Sequence, residues 1–163
     1  SEVVLLPVAV TADGRPVRDL AAGDFEVFDN GVRQRITAAS LEALALDVTL
    51  VADLSGSIDE AARAAATMDI ETISTSLNAD DRVRVIGFGE RVADLSGWRP
   101  GGQPLTLRPV PGGAGTSLYD AMAAALLTPA GDGRPHLVVV FTDGRDTTSL
   151  LDRAAVDLMA GQI

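Results

Sequence analysis

Hydrophobic positions follow two different periods in this chain, and each period predicts a different kind of structure. In the first part, short apolar runs are separated by turn-forming residues, and Asn30-Gly31 between two alternating segments is a strong signal for a β-hairpin. Further on, compact apolar runs of strand length alternate with longer segments whose apolar residues recur at helical spacing. We therefore divide the chain into an N-terminal β segment, residues 1–43, and an α/β domain, residues 44–163.

The predicted elements of the α/β domain alternate along the sequence. The expected strands are Leu46–Ala52, Arg82–Gly89, Arg91–Trp98 and His136–Phe141, and the expected helices are Ile58–Leu77, Leu118–Leu127 and Thr147–Ala160. Such alternation implies a mainly parallel sheet with helices on both faces. In the N-terminal segment, Val3–Val10 is expected to be an edge or bulged strand, because Pro7 cannot donate to a strand ladder.

Composition narrows the range of functions. The 163 residues carry a formal net charge of −10, with 23 acidic residues against 13 basic ones. This balance argues against a nucleic-acid binder and against electrostatic docking on an anionic membrane. Every basic residue is arginine, cysteine is absent and histidine occurs once, so lysine-dependent chemistry, thiolate sites and sites with two imidazoles are excluded. No segment has the length and apolar character that predict membrane insertion.

Polar side chains that could hold a cation follow two predicted strands and one glycine-rich loop. Asp53 ends the first strand of the domain and is followed by Ser55 and Ser57. Asp143 follows the last predicted strand, and Thr116 lies in the glycine-rich loop, where glycines let the backbone approach closely. Ligands of an open α/β sheet sit outside the carboxyl ends of its strands, so we expect these side chains to share one crevice.

The chemistry of this set points to a hard cation. Two carboxylates and three hydroxyls form an all-oxygen set, which suits Mg²⁺, Mn²⁺ or Ca²⁺ and not zinc or copper. Mg²⁺ keeps about six oxygens around it and sheds water reluctantly, so the protein is expected to fill only part of its coordination shell. A partner could then supply an oxygen atom to the remaining position.

Three motifs, in this order along the chain, resemble the metal-ion-dependent adhesion site of von Willebrand factor type A (VWA) domains. They are Asp53–Ser57 (DLSGS), Gly112–Ala121 (GGAGTSLYDA) and Phe141–Gly144 (FTDG). The N-terminal segment, especially residues 11–17 and 23–31, is similar to the β segment that precedes the VWA core in a bacterial group of VWFA-related proteins. The resemblance covers nearly the whole chain.

The resemblance implies a Rossmann-like sheet that carries the metal at its carboxyl edge. Ser55, Ser57 and Thr116 would coordinate through their hydroxyls. Asp53 and Asp143 would bind directly or through water. In many members of the family an acidic side chain of a partner protein completes the coordination, so the implied function is non-enzymatic, cation-dependent protein binding. The resemblance also implies an extracellular or periplasmic location.

The chain departs from the family pattern after the last predicted helix. VWA domains normally continue with another strand and a last helix, and this chain ends at Ile163, where that strand would begin. We therefore expect an uncovered sheet edge at the strand of residues 136–141. Truncation, a strand supplied by a second chain, and a swapped dimer are the three explanations.

Two other functions compete with cation-dependent adhesion. A metal-dependent hydrolase could use Asp53 and the same cation, but His136 lies at the amino end of its strand, roughly 20 Å from the proposed site at about 3.3 Å per residue. A structural module with a vestigial site is the third candidate. Asp146 and Asp152 are expected to be N-terminal charges of the last helix, favoured by its dipole, and Asp146 could also tune ligand choice at the rim.

Overall fold

The computed structural model of the chain describes residues 4, 6, 8, 10–13, 15–17, 19–39, 45–108, 114–127 and 134–161. It contains two units, Ser1–Leu44 and Ala45–Ile163. The boundary predicted between residues 43 and 44 lies outside the described residues.

The first unit contains two short antiparallel strand pairs. These are β1 (Thr11–Ala12) with β2 (Arg15–Pro16), and β3 (Val27–Asp29) with β4 (Val32–Gln34). Asn30 and Gly31, which connect β3 to β4, have φ values of +48° and +80°. A two-residue turn of this kind needs positive φ at both positions, so the predicted hairpin is confirmed. Four of the eight residues of the predicted strand Val3–Val10 lie outside the described residues.

The second unit is a mixed, mostly parallel sheet with helices. Its elements are β5 (Asp47–Asp53), α1 (Glu60–Ser76), β6 (Arg82–Phe88), β7 (Val92–Asp94), β8 (Arg99–Pro100), α2 (Leu118–Leu126), β9 (His136–Phe141) and α3 (Arg153–Ala160). The strand order is β7-β6-β5-β9, with β8 also paired to β6. β5 is parallel to both β6 and β9, whereas β7 and β8 are antiparallel to β6. The predicted α/β, Rossmann-like fold is confirmed.

Alternation along β5 and β6 divides the core between the two faces of the sheet. On one face, Val48, Leu50 and Val85 pack with Ile70 of α1. On the other face, residues of β5 and β6, among them Phe88, pack with α2. β5 is buried along its whole length because it lies between β6 and β9. In the described part of the chain, β9 lies at an edge of the sheet.

Two predicted elements differ from the structure. The predicted strand Arg91–Trp98 is interrupted, because the Asp94 side chain accepts hydrogen bonds from the Ser96 and Gly97 N–H groups and turns the chain. The last helix does not begin at Thr147 but at Arg153. Its N-cap is Asp152, so the prediction for this residue as an N-terminal helix charge is confirmed.

No described helix combines the length and the apolar character needed to cross a membrane. The longest of them, α1, has 17 residues and carries charged residues along its length.

The amino end of the sheet is held by a buried carboxylate. Asp47 is fully buried and forms ion pairs with Arg82 and with Arg134, whose Nε donates to its Oδ1 at 2.6 Å. The Arg82 and Arg84 guanidinium groups lie 5.1 Å and 5.0 Å from the centre of the Trp98 ring, within the range of cation–π attraction. The pKa of Arg82 is raised by its hydrogen bond to Asp47.

Replacing Asp47 by alanine is expected to lower the free energy of unfolding by about 3 kcal/mol, because two arginines then lose a buried charge partner. Asp157→Ala is the matched control, since Asp157 pairs with Arg153 on the exposed surface of α3 and its loss is expected to change stability by less than about 1 kcal/mol. Urea unfolding of both variants measures the difference. Equal effects of the two substitutions would show that the Asp47 cluster does not stabilise the sheet.

Candidate functional site

The first part of the candidate site is the Asp53 loop, residues 53–59, which connects β5 to α1. The Asp53 side chain is buried, and its Oδ1 accepts a hydrogen bond from the Ser55 backbone N–H at 3.0 Å. The Ser55 Oγ lies 2.8 Å from the Ser57 Oγ, within hydrogen-bond distance. The loop ends at Asp59, the N-cap of α1. One tight turn therefore holds the carboxylate and both serine hydroxyls.

The second part is the glycine loop, residues 112–117, of which residues 112 and 113 lie outside the described residues. Its last residue, Ser117, donates its backbone N–H to the Gly89 carbonyl at 2.8 Å. A Cβ atom built on Gly89 would lie 3.6 Å from the Ser55 Cα and 3.7 Å from the Gly115 carbonyl oxygen. The glycine loop and the Asp53 loop therefore meet at the end of β6.

The third part is the Asp143 loop, residues 142–152, which connects β9 to α3. The Thr142 hydroxyl donates to Asp53 Oδ2 at 3.1 Å, so this loop contacts the Asp53 loop directly. The Asp143 side chain is more exposed than that of Asp53. Its carboxylate accepts a hydrogen bond from the Arg145 backbone N–H at 3.0 Å, and its Oδ2 lies 3.6 Å from the Arg145 Nε. The two predicted carboxylate ligands thus belong to loops that are joined by a hydrogen bond.

The Asp143 loop also holds the glycine loop. Thr116 donates its N–H to the Thr147 Oγ1 at 2.9 Å, and its carbonyl accepts from the N–H groups of Thr147 and Thr148 at 2.9 Å and 3.2 Å. Ser117 Oγ lies 2.9 Å from Thr148 Oγ1. The segment that contains Asp143 therefore contacts both other parts of the candidate site.

The five predicted metal ligands are distributed as follows. Asp53, Ser55 and Thr116 are 3%, 0% and 3% exposed. Ser57 and Asp143 are exposed at the surface of their loops. Hydrogen bonds join Asp53 to Ser55 and Ser55 to Ser57 directly, whereas Thr116 and Asp143 are linked to the others through neighbouring residues. The structure thus brings the three loops together, and the coordination of a metal by these five residues stays a prediction.

The donor chemistry of the loops fits a hard cation. Asp53 is a buried carboxylate that forms no salt bridge within the described residues, and its oxygens accept only from a backbone N–H and a hydroxyl. A buried charge of this kind is costly without a counter-charge, and Mg²⁺, Mn²⁺ and Ca²⁺ take carboxylate and hydroxyl oxygens. Among the described residues, no group of three or more His, Cys, Asp or Glu could hold a metal. The predicted set contains only two carboxylates.

A groove of about 440 Å³ adjoins the candidate site. It is lined by Ile58, which precedes α1, by alanine side chains of α1, and by Val140 and Phe141 at the end of β9. Asp53, Thr142 and Asp143 lie at its border, together with Asp69 of α1. The candidate site therefore adjoins a groove that is lined by residues of α1 and of the end of β9.

Sequence reasoning missed the polar contacts made by the Asp143 loop. Asp146 was expected in the first turn of the last helix, but the structure shows that this expectation is wrong: its carboxylate accepts from the Tyr119 N–H at 3.2 Å and from Ser149. Asp120, at the start of α2, accepts from the N–H groups of Leu150 and Leu151. The sequence does contain a signal for these contacts. The segment from Thr142 to Ser149 has more hydroxyl and acidic residues than are needed to cap the N-terminus of one helix.

His136, the chain's single histidine, lies at the amino end of β9, paired with Asp47 in the sheet register. Its Nε2 lies 2.8 Å from the Thr49 Oγ1, and this oxygen accepts a hydrogen bond from the Arg84 Nε at 3.1 Å. Because that oxygen accepts from Arg84, the threonine proton can be donated to a neutral imidazole. Burial lowers the pKa of His136, as does the charge of Arg84, whereas Asp47 raises it. Trp98 contacts the imidazole edge to face, with ring centres 6.1 Å apart.

Comparison with known proteins identifies a domain family. A family model described as "VWA-like domain (DUF2201)" matches residues 48–153, more than half of the chain. Among solved structures, the chain is similar to the crystal structure of the ArnB paralog VWA2 from Sulfolobus acidocaldarius, with 16% sequence identity and a TM-score of 0.56. That similarity covers 64% of this chain and 28% of the other, and at this identity it shows the fold alone. No curated protein matches the chain.

Gly115→Ala is expected to lower the free energy of unfolding by about 1–3 kcal/mol, because the new Cβ would lie 2.5 Å from Thr148 Cγ2 and 2.8 Å from its Oγ1. Thr148 would have to rotate and give up its hydrogen bond to Ser117. Gly56→Ala is the control, since a Cβ at Gly56 has no neighbour within 4 Å. Thermal and urea unfolding measure both. An unchanged stability of Gly115→Ala would contradict the close approach of the two loops.

His136 is expected to make stability depend on pH. Because the pKa of His136 in the folded protein is below its ordinary value, the unfolded chain takes up a proton first as the pH falls, and unfolding is favoured. The neutral imidazole contributes to the free energy of unfolding above about pH 6.5, and this contribution is lost as the pH falls below that value. Urea unfolding between about pH 7 and pH 5 should therefore show a smaller loss of stability for His136→Asn than for the wild type. If the wild type and the variant lost the same stability over this pH range, the lowered pKa of His136 would be contradicted.

Proposed function

This chain belongs to the VWA-like domain family, and from that premise we propose that it is a non-enzymatic protein-binding module whose contact with its partner is completed by a divalent cation. The cation is held at the carboxyl edge of the sheet, where the Asp53, glycine and Asp143 loops meet. The VWA-like fold supports an interaction module. The cation and the absence of turnover are our proposal.

The observation that carries this proposal is the environment of Asp53. Asp53 is 3% exposed, and within the described residues its carboxylate has two neutral hydrogen-bond donors and no salt bridge. The charge of a bound cation would compensate this buried carboxylate. The amino end of the same strand offers a contrast, because Asp47 is equally buried and is paired with two arginines.

The candidate ligands would hold the cation through oxygen atoms alone. Asp53 and Asp143 supply carboxylates, and Ser55, Ser57 and Thr116 supply hydroxyls. Two carboxylates balance the formal charge of a dication. A cation whose other ligands are hydroxyls and water still binds a further anionic oxygen at an open coordination position, and a partner's acidic side chain would provide it. Mg²⁺, Mn²⁺ and Ca²⁺ all suit this set.

The net charge of the protein favours a local cation as the point of contact with such a partner. At a net charge of −10 the chain repels an acidic partner over its surface as a whole. At physiological salt this repulsion is screened beyond about 8 Å, so a cation at the contact point can outweigh it locally. Within the described residues the site contains no imidazole, because His136 lies at the opposite end of β9, and this favours binding over acid–base catalysis.

Titration of the protein with MgCl₂ or MnCl₂, measured by isothermal titration calorimetry, tests the proposal. We expect wild type to bind one divalent cation and Asp53→Ala to bind it at least about tenfold more weakly, because a charged ligand is removed. At a cation concentration of about 100 times its Kd, the folded wild type should gain about 2.7 kcal/mol of stability.

Asp69→Ala is the matched control, because Asp69 is an exposed carboxylate at the border of the same groove and outside the predicted set. It removes the same charge and should leave the affinity within about twofold of wild type. A wild type that binds no cation, or an Asp53→Ala variant that binds as tightly as wild type, would overturn the proposal.

A further inference from the structure

We infer that Thr142 and Thr147 are positioning residues that hold two of the candidate ligands, Asp53 and Thr116, in place for a cation. This inference rests on the proposed function. It assigns the Asp143 loop a second role, because the loop would both supply a carboxylate and fix the ligands of the two other loops.

Thr142 controls the orientation of the Asp53 carboxylate. Its hydroxyl proton is donated to Asp53 Oδ2 at 3.1 Å, and its oxygen accepts from the Gly144 N–H at 3.0 Å. The other carboxylate oxygen, Oδ1, is already held by the Ser55 N–H at 3.0 Å. With both oxygens held by donors on different loops, rotation of the carboxylate about its Cβ–Cγ bond is restricted, while each oxygen keeps a lone pair for a cation.

Thr147 controls the position of Thr116. Its Oγ1 accepts from the Thr116 N–H at 2.9 Å, and its own N–H donates to the Thr116 carbonyl at 2.9 Å. Both backbone groups of the buried Thr116 are therefore bound to one residue of the Asp143 loop. This reciprocal pair fixes the backbone from which the Thr116 hydroxyl projects.

These two threonines differ from Thr75 of α1, the control residue, in the partner that they bind. On α1, the Thr75 hydroxyl donates to the carbonyl of Glu71, one turn earlier, as is common for hydroxyl residues in helices. Thr142 and Thr147 instead bind candidate ligands 89 and 31 residues away in sequence. Partners that orient metal ligands in this way affect metal affinity by about 10- to 100-fold.

The size of the effect should depend on the cation. Mg²⁺ demands near-ideal octahedral geometry, whereas Ca²⁺ accepts a flexible shell of six to eight oxygens. A carboxylate freed from Thr142 should therefore bind Mg²⁺ less well and keep more of its affinity for Ca²⁺. A residue that only stabilised the fold would change the two affinities in parallel.

The test measures Mg²⁺ and Ca²⁺ affinity of the intact chain by calorimetry, with thermal unfolding of each apo variant recorded beside it. Thr142→Val and Thr147→Val keep the side-chain volume and remove the hydroxyl, Thr142→Ser and Thr147→Ser restore the hydroxyl, and Thr75→Val is the control. We expect each valine variant to bind Mg²⁺ about 10- to 100-fold more weakly. The serine variants and the control should stay within about threefold of wild type, and Thr142→Val should lose less Ca²⁺ than Mg²⁺ affinity.

The outcomes separate this inference from the proposed function. If wild type binds the cation and both valine variants bind it equally well, the positioning role is wrong and the proposed function stands. If wild type binds no cation, the proposed function is wrong and the positioning role falls with it. Should a valine variant not fold, the alanine variant at the same position is measured instead, and an affinity equal to that of the serine variant overturns the inference.

Discussion

The parallel pairing of β5 with β6 and β9 is the constraint on which the site depends. Ala52 of β5 is in register with Gly87 on one side and Phe141 on the other, so the three strands end at the same edge of the sheet. β5 and β9 continue from this edge into loops that lead to helices, and β6 continues into the turn that leads to the antiparallel β7. The Asp53 loop, the turn at Gly89 against which the glycine loop lies, and the Asp143 loop all start there. A change of register in β9 would separate Thr142 from Asp53.

Hydrogen bonding explains why loops of this kind can be held in one arrangement. Within the described residues, no buried side-chain nitrogen or oxygen lacks a hydrogen-bond partner. At the site, most of these partners are hydroxyls and backbone N–H groups, which fix a carboxylate without neutralising it. A network that is fully satisfied in this way is rigid, because a movement of one member leaves another unpaired in a medium of low dielectric. Rigidity of the ligands before binding lowers the entropic cost of holding a cation.

Local sequence patterns predicted the sheet and the strand ends from which the site loops begin, because buried parallel strands are compact apolar runs. The strand His136–Phe141 was predicted with the bounds that the structure shows. The start of α3 could not be predicted in this way. Leu150 fits a helical period, but it is 95% exposed and its N–H donates to Asp120, 30 residues earlier in the chain. Contacts between residues so far apart in sequence produce no periodic pattern of hydrophobic residues. The hydrogen bond between Thr142 and Asp53 could not be predicted for the same reason.

The two ends of β5 each contain a buried carboxylate, and the two carboxylates have different partners. At the amino end, two arginines form ion pairs with Asp47, so this end contains its own counter-charges. Burial and the charge of Arg84 lower the pKa of the neighbouring His136. At the carboxyl end, Asp53 has hydrogen bonds but no arginine partner within the described residues. Since an isolated buried charge is unfavourable, a fold that tolerates one at an accessible edge must recover the energy elsewhere or when a ligand binds. Under the proposed function, an external cation would restore this balance at the carboxyl end, whereas the arginines already do so at the amino end. The proposal therefore locates the contact with a partner at the carboxyl end.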